Sequence, residues 1–454
     1  FISHRNNKRL LSSESSVTLT HLVSLGNACH YRGINTDVMF DWLKKHKRIY
    51  LDYAAATPVS KSVYKAMQPY FSEYFANASA IHKEGQQARD AVEAARLKVA
   101  RTLGVRPAGV TWTASGTEAN NLALYGYVRH LVENEGKSMD DIEVISTAIE
   151  HPSILEVLAH LKQNGVKVHF APLTEDGRII VPELEELLSE RTALVSISYV
   201  NSEIGTVENV RGISRRVQKF NAERNSNIKI HLDAAQAPLW LPCELEKLGV
   251  DMLTLDAGKC YGPKGVGVLA RKYGVKLKGI VLGGAQEENL RAGTENTPLI
   301  VGAAEAVAEA QSKFAVRAEK ISQFRDYMIK KIETEIPEAI LNGSKEHRVA
   351  NNINISIPGI DGEFAVVSLD EQGIACSTRS ACGSTKTEIE TGESDASVIL
   401  KTSGSHVVRT VTGDTNRATS TVRFSLGEET KKDDIEKAVS ALKKHYDFSK
   451  NIDK

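Results

Sequence analysis

The sequence predicts an α/β fold, in which a mostly parallel sheet covered by helices is followed by a smaller α+β part. Two observations carry this expectation. Between about Val110 and Leu269, short runs rich in β-branched residues alternate with amphipathic helical runs, the pattern of repeated βα units. Beyond about Ser312 that alternation stops. The length of 454 residues suits a large domain joined to a smaller one, and 41% hydrophobic with 25% charged residues is ordinary for a globular chain.

The elements follow in order. Val110–Thr113 reads as a strand leading into a helix at Glu118–Leu122. Glu143–Ser146 leads into a helix whose Ile154, Leu155, Leu158 and Leu161 share one face. Strand Val166–Phe170, helix Pro182–Leu188 and strand Ala193–Val200 come next. A helix near Ile213–Glu223 precedes strands Ile228–Leu232 and Met252–Leu255. The later part opens on a helix at Lys313–Glu335, then a strand at Asn352–Ile357 and a helical run at Gly362–Leu369. The Ser-, Thr- and Gly-rich stretch Gly383–Ser420 shows little periodicity, and a loop that long inside a compact domain is functional or mobile. A charged amphipathic helix near Asp433–His445 closes the chain. The expected organisation is an N-terminal extension over 1–46 and a large domain over 66–310. A small domain is then built from 47–65 and 311–454, with a loop over 376–420.

Charge narrows the classes of function. Lys plus Arg and Asp plus Glu both number 57, so no global basic field favours nucleic acid, and no basic patch is interleaved with aromatics. No apolar run approaches the roughly 18 residues needed to cross a bilayer. The cysteines (Cys29, Cys243, Cys260, Cys376 and Cys382) are odd in number and scattered, unlike a disulfide framework. They suit a reducing compartment with one or two active thiols, and a cytoplasmic setting is expected. Residues 1–16 are basic and Ser-rich; a solvated extension is preferred to an organelle-targeting segment. No metal set is expected.

Ligands of parallel sheets bind beyond the carboxyl ends of the strands. Thr117, His151, Asn201, Asp233 and Lys259 each fall just after a different expected strand, so five polar residues should gather at one rim. Each has an ordinary reading when taken alone. Lys259, before the turn Tyr261-Gly262-Pro263-Lys264-Gly265, is either a rigidly held amine or a solvated loop lysine, and Lys264 competes with it. Asp233 ends an apolar strand and is either paired with a buried cation or a helix cap. Gly116 and Thr117 open a helix whose free N–H groups suit a phosphate, although Thr117 with Glu118 is also a capping pattern. His151 can move protons or simply cap.

The order of motifs resolves these choices. Leu51-Asp52-Tyr53-Ala54-Ala55-Ala56-Thr57-Pro58, Gly116-Thr117-Glu118, Glu150-His151-Pro152 and Asn201-Ser202-Glu203-Ile204-Gly205 appear in sequence. Asp233-Ala234-Ala235-Gln236, Lys259 with its Gly-Pro turn, Arg291-Ala292-Gly293-Thr294-Glu295-Asn296, Ser380-Ala381-Cys382 and Arg423-Phe424-Ser425-Leu426-Gly427 follow. This succession, from about Tyr50 to Thr430, resembles the NifS/IscS-like cysteine desulfurases of the class V aminotransferases. The resemblance implies the fold type I architecture of pyridoxal 5′-phosphate (PLP) enzymes, with a seven-stranded sheet. It implies that Lys259 holds the cofactor as an imine, Asp233 pairs with the pyridine nitrogen, Gln236 meets the ring hydroxyl, and His151 stacks on the ring and assists proton transfer. Gly116 and Thr117 would bind the phosphate, and Thr294 would reach the phosphate of the neighbouring subunit in a homodimer. Asn201, Ser202 and Arg423 would contact the substrate, Arg423 through its carboxylate. Cys382 would take sulfur from L-cysteine as a persulfide, leaving alanine, and a sulfur-acceptor protein would receive it. A selenocysteine lyase or another class V aminotransferase is the alternative, and a non-catalytic sulfur-transfer scaffold is a third reading.

Three positions depart from the family pattern. Asp256 and Gly258 stand where Ser and His are usual beside the phosphate, and Ser202 replaces the second Asn of an Asn-Asn-Glu run. An acid beside a phosphate is unfavourable, so Asp256 is expected to point away or cap locally. Arg379 would lower the Cys382 thiol pKa if it lies near. Cys376 is either a second sulfur relay or a structural thiol.

Overall fold

The computed structural model describes residues 48–378 and 404–452, so the N-terminal extension, Arg379 and Cys382 lie outside the described residues. Twelve strands are present among the described residues: β1 (Ile49–Tyr50), β2 (Val110–Thr113), β3 (Glu143–Ser146), β4 (Lys167–Phe170), β5 (Thr192–Ser198) and β6 (Lys229–Asp233), then β7 (Met252–Asp256), β8 (Gly267–Arg271), β9 (Ile340–Leu341), β10 (Asn352–Ser356), β11 (Ile374–Ala375) and β12 (Thr421–Ser425). They form a seven-stranded sheet in the order β2-β8-β7-β6-β5-β3-β4, a three-stranded sheet β12-β10-β9, and the pair β1-β11.

The large sheet is α/β as expected, with one strand the sequence reading did not place. β3, β5, β6 and β7 pair in parallel, while β8 runs antiparallel between β7 and β2. Two reversals leave β2 pointing the same way as β7, so every strand but β8 ends at one rim. Helices cover both faces, and this is why Ala193, Leu194, Val195 and Ile197 of β5 are all buried. Gly267 opens β8 against the turn before the helix Gly116–Glu135. A Cβ there would lie 2.3 Å from the Ser115 carbonyl carbon, so this close approach requires glycine.

Local signals set the helix starts at the rim. Ser115 caps Gly116–Glu135 by accepting the Glu118 N–H at 3.1 Å, and Gly136, at φ 73°, ends it. His151 caps Pro152–Gln163, with proline in the first turn and Ile154, Leu155, Leu158 and Leu161 buried beneath. The later helix is longer than its exposed half suggests, running over Thr297–Glu335 and not from Lys313. Its first part is apolar nearly all round, with Ile300, Ala303, Ala304, Ala306, Val307 and Ala310 buried, so it carries no one-sided periodicity to read. The helix Lys83–Leu103 was likewise not anticipated. The Gly383–Ser420 stretch also needs correction. Its described part holds helices His406–Thr412 and Thr415–Thr419, capped by Ser405 and Asp414. Among the described residues no helix is long and apolar enough to cross a membrane.

The strand pair β1-β11 and the three-stranded sheet lie beside the same rim. Leu51 receives the Ser425 N–H at 2.7 Å, carrying Asp52 to Ala55 from the end of β1 to the end of β12.

Candidate active site

One cavity opens at the shared strand ends. Gly116, Thr117, His151, Asn201, Ser202, Asp233, Gln236, Lys259 and Arg423 all line it, so the expected gathering occurs. Thr294 is exposed and outside this lining. Lys264 is also outside it and donates to the Thr57 carbonyl at 3.0 Å. Cys382 lies outside the described residues.

Asp233 is the last residue of β6 and is buried, with both carboxylate oxygens engaged. Oδ1 accepts the Ala235 N–H at 3.0 Å and Oδ2 accepts Asn120 Nδ2 at 2.8 Å. Asn120 is also buried, one helical turn beyond Gly116, and its second amide hydrogen reaches Ser153 Oγ at 2.9 Å. Ser153 Oγ lies 2.8 Å from His151 Nδ1, which also accepts the Ser153 N–H at 3.2 Å. With Nδ1 accepting, the neutral ring carries its proton on Nε2. Burial, opposed by the Asp233 charge and aided by Lys259, holds the His151 pKa below its usual value. Asp233, Asn120, Ser153 and His151 therefore form one buried polar chain. Asn120 and Ser153 were missed because nothing in their local pattern marks them; the four-residue spacing from Gly116 was the available signal.

Lys259 Nζ donates to the carbonyls of Ala54 and Ala55 at 2.8 and 2.9 Å, and Gln236 Nε2 donates to Ala54 at 2.9 Å. The Leu51–Pro58 run thus supplies backbone acceptors to two cavity residues. Arg423, only 1% exposed, donates from Nη2 to Asp52 Oδ1 at 2.8 Å and from Nη1 to the Ser202 carbonyl at 3.0 Å. Asn201 spends its side chain on the backbone, accepting the N–H groups of Glu203 and Ile204 and donating to Ile149. It fixes the turn that brings the Ser202 carbonyl to Arg423.

Asp256 also lines the cavity and caps locally, but it does not point away from the start of the helix Gly116–Glu135. Its Oδ1 accepts the Gly258 N–H at 2.9 Å and its Oδ2 the Gly116 N–H at 3.3 Å.

The donor set fits PLP at the ring end: an amine, a fixed carboxylate, an imidazole and an amide converge there. Asn120 Oδ1 and Arg423 Nε are buried with no hydrogen-bond partner, so the lining holds polar capacity that the protein itself leaves unused. At the phosphate end a helix start is present, shared with the Asp256 carboxylate.

Comparison with known proteins agrees with this geometry. The family model described as aminotransferase class-V matches residues 49–438. The chain is 35% identical to cysteine desulfurase IscS of Dictyoglomus turgidum, over 88% of this chain and 94% of that protein. It is 38% identical to cysteine desulfurase IscS 1 of Archaeoglobus fulgidus, over 74% and 84% of the two chains. Among solved structures, a NifS-like protein superposes with a TM-score of 0.78 at 30% identity, over 88% of this chain and all (100%) of that one. SspA in complex with cysteine superposes at 0.67 with 29% identity, over 84% and 99%. The chain belongs to the class-V aminotransferase family and, within it, to the cysteine desulfurases.

Proposed function

We propose that this protein takes sulfur from L-cysteine, leaves L-alanine and carries the sulfur as a persulfide on Cys382 for transfer to an acceptor protein. The observation that carries this reading is the convergence of Lys259, Asp233, His151 and Arg423 on one cavity at the strand ends.

PLP, when bound, supplies an electron sink for the charge that develops at the substrate Cα. Lys259 would hold it covalently and then, as a free amine, take the Cα proton. Asp233 would pair with the ring nitrogen, held in register by Asn120 and the Ala235 N–H. Gln236 would meet the ring hydroxyl, while Gly116 and Thr117, with Thr294 of a second copy in a homodimer, would bind the phosphate. His151 would cover the ring face and present its Nε2 proton to the reacting side.

On the substrate side, Arg423 offers a planar fork already fixed by Asp52 and Ser202, so little side-chain entropy remains to be lost when a carboxylate binds. Asn201 and Ser202 shape that end of the site. The Cys382 thiolate would attack the substrate sulfur as the Cβ–S bond breaks, the electron pair of that bond staying with the carbon skeleton that is protonated to alanine; only the thiolate is competent for this. The seven-stranded sheet uses residues 110–271 alone, whereas the smaller sheets use 49–50 and 340–425; this supports a large domain over 66–310 and a small one from 47–65 and 311–454. Described thiols Cys243, Cys260 and Cys376 are all free, which supports a reducing, cytoplasmic setting.

The test is Cys382→Ala. The variant should keep the cofactor absorbance, with borohydride labelling at Lys259, yet lose alanine and sulfide formation from cysteine. Unchanged release would exclude Cys382 as the sulfur carrier. Selenocysteine assayed in parallel separates a desulfurase from a lyase.

A further inference from the structure

At the phosphate end of the cavity, two elements meet. One is the start of the helix Gly116–Glu135, whose first N–H groups and dipole attract an anion. The other is the end of β7, where Asp256 places Oδ2 3.3 Å from the Gly116 nitrogen of that helix start, while its Oδ1 accepts the N–H of Gly258 in its own turn at 2.9 Å. A Cβ at Gly116 would stand 3.2 Å from Asp256 Cβ and 3.3 Å from Oδ2, so the bare backbone at 116 is what lets the carboxylate settle so close. The cavity therefore already contains an anion at its anion-binding end, tethered to the protein.

We propose that Asp256 is an internal competitor for the cofactor phosphate, so that this protein binds PLP by displacing its own carboxylate from the Gly116 N–H. The inference rests on the PLP reading above. The Gly116 N–H cannot serve both anions at full strength, and a carboxylate left beside a phosphate repels it. Two effects of opposite sign follow. The carboxylate stabilises the cofactor-free protein by satisfying two backbone donors. It also weakens recognition of the phosphate, so the protein separates PLP from unphosphorylated pyridoxal less sharply than it would with a neutral residue at 256.

The experiment uses the full chain freed of cofactor, as wild type, Asp256→Ser and Asp256→Asn. Dissociation constants for PLP and for pyridoxal are measured by absorbance titration, and melting temperature is followed with and without inorganic phosphate. In D256S the preference for PLP over pyridoxal should rise roughly ten- to a hundredfold, the scale of one charged hydrogen bond. The cofactor-free variant should melt lower than wild type, and inorganic phosphate should raise its melting temperature more. D256N, nearly isosteric, should move the preference the same way if serine costs too much stability. A preference that is unchanged or reduced in both variants overturns the proposal. If neither wild type nor variants bind either pyridoxal compound, the PLP reading itself fails; the inorganic-phosphate shift still reports whether Asp256 holds an anion off the helix start.

Discussion

Asn120 Nδ2 donates to Asp233 Oδ2 at 2.8 Å while its other hydrogen holds Ser153, so a single amide orients both the acid and the residue beneath His151. Asn120→Ala should leave the buried Asp233 and Ser153 oxygens short of a donor. A stability loss of about 1–3 kcal/mol is expected in urea denaturation. Asn120→Asp should be worse for the site, because a second carboxylate against Asp233 favours protonation of one of the two. PLP affinity should then fall about tenfold or more, measured by equilibrium dialysis.

Arg423 is held by two separate acceptors, the Ser202 carbonyl at Nη1 and the Asp52 carboxylate at Nη2. Lysine keeps the charge but cannot make both contacts with one planar fork. Arg423→Lys should raise KM for cysteine about tenfold or more, with a smaller change in kcat, in steady-state assays. Arg423→Ala should also cost about 3–5 kcal/mol of stability, since Asp52 loses its partner in a partly buried position.

Two buried groups next to the sheet titrate against each other. Glu150 has its pKa raised to about 7, first by burial, with Asp233 adding to the rise. It therefore contributes stability at low pH that is lost as pH climbs from about 4.5 through 7. His231, between Ser196 and Thr254, is lowered to about 4 by burial. It contributes stability at high pH that is lost as pH falls from about 6.5 through 4. The two slopes oppose each other across the overlap of these windows. Glu150→Gln should unmask the histidine. Relative to wild type, its unfolding free energy should gain about 2–3 kcal/mol between pH 5 and pH 8, a rise in stability read in urea titrations.

Burial disfavours the thiolate of Cys376 that a sulfur relay would need. Burial, with Asp52 adding to it, pushes its thiol up to about 12, and Cys260 is likewise pushed up to about 12 by burial. At pH 8 both thiols should stay protonated. Iodoacetamide mapping at that pH should leave Cys376 and Cys260 unlabelled, and Cys376→Ala should retain persulfide formation. Loss of the persulfide in that variant would restore the relay reading.

The strand-end residues were legible because each closes a short apolar run, and a parallel sheet brings such ends to one rim regardless of loop detail. Lys259, Asp233, His151 and Asn201 all arrived that way. β8 was not legible, because a short apolar return strand carries no mark of direction. The first half of the helix Thr297–Glu335 was hidden by being apolar nearly all round. Asn120 and Asp52 escaped notice for a different reason. Their importance comes from partners 113 and 371 positions away, which no local pattern encodes. Asp256 was legible as an anomaly, but only the fold puts its carboxylate on the helix start.

The tie between Asp52 and Arg423, repeated where Ala54 N–H meets Ser425 Oγ, has a consequence for how the protein is made. The segment that offers carbonyls to Lys259 and Gln236 leaves the ribosome early, yet it cannot settle until residues 371 positions later emerge. At about 5–20 residues per second that wait is roughly 20–75 s. During it the large sheet is able to assemble, but the lysine lacks its Asp52–Ala55 neighbours in their final place. A nascent chain stalled before Arg423 should therefore hold a folded sheet with an unfinished pocket. Cofactor capture then belongs to the end of synthesis and not to its middle.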